Sequence, residues 1–200
     1  MTTHDSISVL RKHIMPSDLL VSSLGRTAEE VFNQIENPDR VLFLDCLGAT
    51  IGVAVGVSLG CPNNRVFALE TDGSFMYDMT IFHSVANLSH RLKELVIMVF
   101  DNECLESGGG LKSRAVSFNW EKYAASWGLH LLVINDVFQL DALLCDPNIV
   151  KPLILVLKID NTGIDQTCHK NVDGIESKYR FKRFINDNIN SNIIQPCVKN

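Results

Sequence analysis

The sequence has no excess of positive charge. Its 200 residues carry 18 Lys and Arg against 23 Asp and Glu, a formal net charge of −5. No broad basic field exists to hold nucleic acid through its phosphates. No C-x-x-C pair occurs among the six cysteines, at 46, 61, 104, 145, 168 and 197, which excludes the common paired-cysteine zinc and redox signatures. The stretch nearest to a membrane span, Cys46 to Cys61, has 16 residues without a charge and is bounded by Asp45 and Arg65. That is too short to cross a bilayer as a helix. MTTHDSISVLRKHIM, at the N-terminus, lacks the apolar centre of a signal peptide. Scattered thiols without such a signal lead to the expectation of reduced cysteines and a cytoplasmic protein. At 46% hydrophobic and 20% charged, with mean hydropathy +0.11, the chain is neither disordered nor a charged coiled coil.

What is present reads as helices alternating with strands. Residues 5–14 form a weak helix and 18–23 (DLLVSS) a strand. Thr27 and Glu30 have the spacing of a capping box opening the next helix, with Val31, Phe32 and Ile35 on one face. Residues 41–44 (VLFL) form a second strand or the approach to a loop, and strands follow at 65–69, 95–100, 129–134 and 152–159. Helices follow at 48–60, 74–88 (core Phe75, Met79, Phe82, Leu88), 119–127, 137–145 and 177–188, with a loop at 161–174. The run LVIMVF at 95–100 does not alternate, which marks a strand covered on both faces. Gly48, Gly52, Gly56 and Gly60 fall on one helical stripe. Either another backbone or a ligand approaches there, or the helix simply packs on the sheet. The fold expected is a doubly wound α/β domain, a mainly parallel sheet with helices on both faces, over residues 1–160. Residues 161–200 would be a C-terminal loop and helix packing on that domain.

Ligands of such sheets lie outside the carboxyl ends of strands, so the ends near 23, 69 and 100 are the places to search. The second ends in Glu70-Thr71-Asp72-Gly73-Ser74: an acid for a metal, then free amides for phosphate oxygens. The third ends in Asp101-Asn102 and runs into Ser107-Gly108-Gly109-Gly110. One helix and one strand separate Asp72 from Asn102, so both side chains belong to one crevice. A Mg²⁺ ion there would take oxygen from each.

D-G-S at a strand end, followed about thirty residues later by D-N after an apolar strand, resembles the thiamine diphosphate fingerprint G-D-G…N-N. It is most similar to that of phosphonopyruvate decarboxylases and the beta subunits of sulfopyruvate decarboxylases. Three blocks carry the resemblance: Ser22 to Phe32 (SSLGRTAEEVF), Cys46-Leu47-Gly48-Ala49 with Ile51-Gly52, and Asp101-Asn102 through Gly110. The resemblance implies that Asp72, the Asn102 side chain and the Cys104 carbonyl ligate Mg²⁺. It implies that Gly73 and Ser74 hold the diphosphate, helped by Gly25 and Thr27. Leu47 matches the bulky residue that bends the cofactor, and backbone around Asp45, Cys46 and Gly48 would meet its aminopyrimidine. The activating glutamate of this family comes from a second, pyrimidine-binding domain for which the chain has no room. A pyrimidine-binding partner subunit is therefore expected, in a hetero-oligomer that is a dimer of dimers or larger, with the active site between chains. The helix 48–60 and loop 104–118 are the candidates for that contact.

The implied activity is decarboxylation of a small anionic 2-oxo acid. The alternatives are half of an acetolactate synthase-like carboligase and a non-catalytic assembly or regulatory subunit. The chain departs from the family pattern at Thr71, Asp101, Glu103 and Leu105, and Glu103 is tolerable beside a diphosphate only if it points away. ESGGGLKS at 106–113 is not a nucleotide P-loop, because Glu106 and Leu111 replace the required glycines. His83, His90 and His130 share no ligand spacing and read as packing or surface residues. Lys112 and Arg114 read as solvated, or as neutralising a substrate anion.

Overall fold

All seven residues of Leu95–Asp101 are buried, because the strand they form is the divide between two cores. Leu95, Ile97 and Val99 belong to one hydrophobic cluster; Val96, Met98 and Phe100 belong to the other. The computed structural model describes residues 1–160 and 173–193. Its elements are α1 (Thr3–His13), β1 (Leu19–Ser22), α2 (Arg26–Gln34), β2 (Val41–Phe43), α3 (Thr50–Gly60), β3 (Val66–Thr71), α4 (Asp72–Phe75), α5 (Ile81–Leu88) and β4 (Leu95–Asp101). These are followed by β5 (Cys104–Leu105), β6 (Leu111–Lys112), α6 (Trp120–Ser126), β7 (Leu131–Ile134), α7 (Val137–Cys145), β8 (Leu153–Lys158) and α8 (Gly174–Ile193).

Six strands form a sheet in the order β2-β1-β3-β4-β8-β7, and every pairing in it is parallel. Helices α3, α5, α6 and α8 supply one core, with Ile51, Phe82, Trp120 and Phe181 among its buried residues. Helices α1, α2 and α7 supply the other, with Leu10, Val31 and Leu140. The expected doubly wound α/β fold is what the chain adopts. Strand order reverses between β1 and β3: the chain steps from β1 to β2 on one side, then to β3 and β4 on the other. Their carboxyl ends diverge there and leave a crevice.

Local details differ from the sequence expectations in four places. Helix α2 starts one residue before Thr27. Gly25 is its N-cap at φ +78° and no side chain caps it. Thr27 and Glu30 are buried instead, and Glu30 accepts from Gln34 and pairs with His4 at 3.0 Å. The helix expected over 74–88 is two, α4 and α5, separated by a turn in which Thr80 Oγ1 donates to Asp78 Oδ1 at 2.8 Å. Within this chain the glycine stripe does not form the packed side of the helix: Gly48 precedes the helix at φ +79°, Gly52 meets Ile81, and Gly56 and Gly60 have nothing within 4 Å among the described residues. Ile51, Ala54, Val55 and Ser58 face inward instead. The segment expected to be loop after Asn102 contains the small antiparallel β5–β6 hairpin. The loop expected at 161–174 lies almost wholly outside the described residues.

Helix α8 covers the open edge of the sheet. Asp173 Oδ1 accepts from the amides of Ile175 and Glu176 at the start of the helix. One turn in, buried Ser177 accepts from the Phe43 amide at 2.9 Å and donates to the Val41 carbonyl at 3.1 Å. One hydroxyl thus satisfies two groups of edge strand β2 that would otherwise invite another strand. No helix among the described residues is long and apolar enough to cross a membrane. Replacing Ser177 by Ala leaves both groups unpaired. We expect a loss of about 1–2 kcal/mol in a denaturant unfolding titration.

Candidate functional site

The ends of β1, β3 and β4 enclose a cavity of about 220 Å³. The β1–α2 turn contributes Gly25 and Thr27, the β2–α3 loop Leu47, the β3–α4 turn Asp72, Gly73 and Ser74, and the segment after β4 Asn102 and Cys104. Eight of the residues expected at the site therefore line one crevice. Asp45, Cys46 and Gly48 do not line it. Asp45 turns its carboxylate toward Gly174 at the start of α8, so near that a Cβ there would sit 2.0 Å from Oδ2. The Gly48 amide donates to Ser74 Oγ at 2.8 Å, tying the β2–α3 loop to α4. A side chain at Gly48 would be strained by its φ of +79° and tightly placed, with a Cβ 3.1 Å from Tyr77 and 3.3 Å from Asp78.

Asp72 is 1% exposed. Burial raises its pKa to about 6, partly offset by a hydrogen bond from Ser113 and reinforced by the nearby charge of Asp101. Ser113 Oγ donates to Asp72 Oδ2 at 2.5 Å. Two residues upstream, Glu70 is also pushed up by burial; its Oε1 accepts from the Thr71 amide. Asp101 does not face the cavity. It accepts from Trp120 Nε1 at 2.8 Å, from Lys158 Nζ at 2.7 Å and from the Glu103 amide at 3.1 Å. Burial pulls the Lys158 ammonium down, but its bonds to Asp101 and Glu103 outweigh that and its pKa is raised. These contacts anchor the end of β4 and aim the next residue, Asn102, into the crevice.

The departures from the family pattern have visible consequences. Thr71 Oγ1 accepts from the Ser74 amide at 3.3 Å, engaging one of the amides expected to hold phosphate. Glu103 adopts φ +58°, the sole positive value among described non-glycine residues. That conformation sends its side chain to Lys158 at 3.0 Å, away from the cavity. Leu105 lies over Gly73, where a Cβ would be 2.6 Å from its Cδ2. Glu106 does reach the cavity and pairs with Arg26 at 3.0 Å, while Asn102 Nδ2 donates to it at 2.9 Å. The Cys104 thiol is pushed up by burial and by the neighbouring Glu106 and Asp72. It stays protonated at neutral pH, and the backbone carbonyl is the donor that Cys104 offers.

Sequence reasoning missed Ser113, Arg26 and Glu106. Ser113 sits 41 residues from Asp72 and Glu106 sits 80 from Arg26, so no local spacing announces either contact.

The donor set fits the group the motifs imply. A carboxylate, an amide oxygen and a backbone carbonyl are hard oxygen ligands of the kind Mg²⁺ selects. The desolvated Asp72 carboxyl is the one that a cation would relieve. A strand-end crevice of this kind at the switch point defines a cofactor-binding α/β domain. The chain belongs to the thiamine pyrophosphate enzymes, matching the family's C-terminal TPP binding domain over residues 23–144. It is similar to the phosphonopyruvate decarboxylase of Streptomyces hygroscopicus, with 25% identity over 119 residues, 60% of this chain and 29% of that protein. The match thus spans less than a third of that curated relative.

Folded Asp72 holds its proton more tightly than the unfolded chain does. Its ionisation therefore costs stability as pH rises from about 4 to about 6. Asp72→Asn removes that cost. Without added metal, thermal unfolding should show the variant gaining on the parent as pH is raised from 4 to 8, by about 2 kcal/mol at the upper end. An unchanged difference across that range would contradict the assignment.

Proposed function

We propose that the chain is one subunit of a thiamine diphosphate- and Mg²⁺-dependent decarboxylase of small anionic 2-oxo acids, with phosphonopyruvate or sulfopyruvate as the substrate type. The observation that carries the reading is the convergence of Asp72, Asn102 and Cys104 on one crevice beside Gly73 and Ser74. Asp72, Asn102 Oδ1 and the Cys104 carbonyl would hold the metal, and Gly25, Thr27, Gly73 and Ser74 the diphosphate. Thiamine diphosphate, when bound, supplies the carbon nucleophile and the electron sink that decarboxylation of a 2-oxo acid requires.

This chain's residues bind and orient. Ser113 donates to one oxygen of the Asp72 carboxylate that would hold the cation. Lys158 and Trp120 hold Asp101, and with it the backbone that presents Asn102. Leu47, 42% exposed at the mouth, provides an apolar wall for the cofactor's rings. Arg26 supplies positive charge inside the crevice, now engaged by Glu106. The glutamate that activates the aminopyrimidine would come from a pyrimidine-binding partner subunit. The exposed glycine face of α3 and the β5–β6 hairpin are the surfaces we assign to that contact, in a hetero-oligomer located in the cytoplasm.

A second reading, a fold-retaining assembly subunit without catalysis, draws on three features. Thr71 engages the Ser74 amide, Leu105 covers Gly73, and Glu106 places a carboxylate in the crevice. Calorimetric titration of thiamine diphosphate and Mg²⁺ onto the chain with its partner separates the two. Saturable binding, weakened about a hundredfold by Asp72→Ala, with CO₂ release only when the partner is present, supports the first. Absence of heat, with activity indifferent to Asp72→Ala, supports the second. Product analysis with and without an acceptor 2-oxo acid distinguishes decarboxylase from carboligase.

A further inference from the structure

At the other end of the sheet, where α1 and α7 finish side by side, three metal-ligating side chains meet. His13 Nε2 lies 2.8 Å from Asp141 Oδ1. Cys145 Sγ lies 3.9 Å from His13 Nδ1. One donor atom from each residue falls within 4.8 Å of the others. Asp141 and Cys145 are four apart on α7, which puts them on one helical face; His13 is the last residue of α1. None of these residues belongs to the cofactor crevice.

We propose that His13, Asp141 and Cys145 form a binding site for Zn²⁺ or a similar borderline-soft divalent cation, clipping α1 to α7. A nitrogen, a carboxylate oxygen and a thiolate are the ligand types zinc takes, with a fourth position left to water. Donors around a tetrahedral zinc lie roughly 3.3–3.8 Å apart. Closing the cluster therefore needs shifts of about 1 Å, small enough for a half-buried His13–Asp141 pair and an exposed Cys145. Binding releases the Cys145 thiol proton to solvent, and His13 ligates through a ring nitrogen that carries no proton, the ring proton residing on its other nitrogen.

The surroundings suit a cation. Asp141 is held below the usual carboxylate range, first by its hydrogen bond from His13. The last turn of α7 has no basic residue, and Asp146 follows Cys145 at its negative end. Opposing charges are Lys12, which acts on Asp141, and Arg65, whose guanidinium is engaged with the His13 carbonyl and Asp18.

The test is titration of the full, chelator-treated chain with Co²⁺ and displacement by Zn²⁺. One equivalent should produce a thiolate-to-cobalt absorption band in the near ultraviolet and tetrahedral bands in the visible. Cys145→Ser should abolish the near-ultraviolet band, while Cys104→Ser and Asp72→Asn leave it, separating this site from the crevice. His13→Gln and Asp141→Asn should weaken binding at least about tenfold. A missing band in the parent chain, a band that survives Cys145→Ser, or indifference to His13→Gln overturns the proposal. So does rapid metal-free alkylation of Cys145 that His13→Gln slows, when no cobalt band forms; that result would mark a reactive thiol instead.

Discussion

A carboxyl buried at the end of a central strand governs the site. Asp72 follows β3 at the point where strand order reverses, with one charged neighbour of its own sign and one hydroxyl donor. In water that carboxyl would ionise freely; here burial opposes it. The arrangement is one that a bound cation relieves and an apolar ligand does not. Everything around it serves placement: the β1–α2 turn, the β5–β6 hairpin and the Asp101 anchor surround the same oxygen atoms.

Asp101 and Asn102 show how adjacency in sequence becomes division of labour. Successive residues at a strand end point to opposite sides. Asp101 turns inward to Trp120 and Lys158, and Asn102 turns into the crevice. The Glu103 side chain that would have repelled a diphosphate is removed by a left-handed backbone turn and held by Lys158. Glu106, three residues on, takes up the opposite position, inside the crevice and against Arg26. The hairpin thus presents one acid outward and one inward, and the balance between Glu106 and an incoming anion for Arg26 is set by this loop.

The sheet was legible in the sequence because its signal is local. LVIMVF reads as a strand covered on both faces and PLILVLKI as a strand, and β4 and β8 are both strands buried along nearly their whole length. The crevice was legible because D-G-S and D-N mark strand ends, and a parallel sheet gathers strand ends. Less legible was anything fixed by a partner distant in sequence. The Thr27–Glu30 pair has capping-box spacing, yet Gly25 starts the helix and Glu30 is committed to His4 and Gln34. The glycine stripe of α3 implied either close approach by a backbone or ligand or plain packing on the sheet, and Gly56 and Gly60 face outward without a described neighbour.

By itself, then, the sequence determined the order of strands and helices, the two-sided burial of the central strands, and the pair of oxygen-bearing strand ends. These follow from side-chain polarity and periodicity, which act over a few residues. Tertiary structure alone decided that Ser113 binds Asp72, that Ser177 closes the edge of β2, that Arg26 meets Glu106 and that His13 meets Asp141 and Cys145. The physical reason is that each of these contacts joins segments at least 41 residues apart, and only the packing of helices on a common sheet brings such segments within hydrogen-bonding distance.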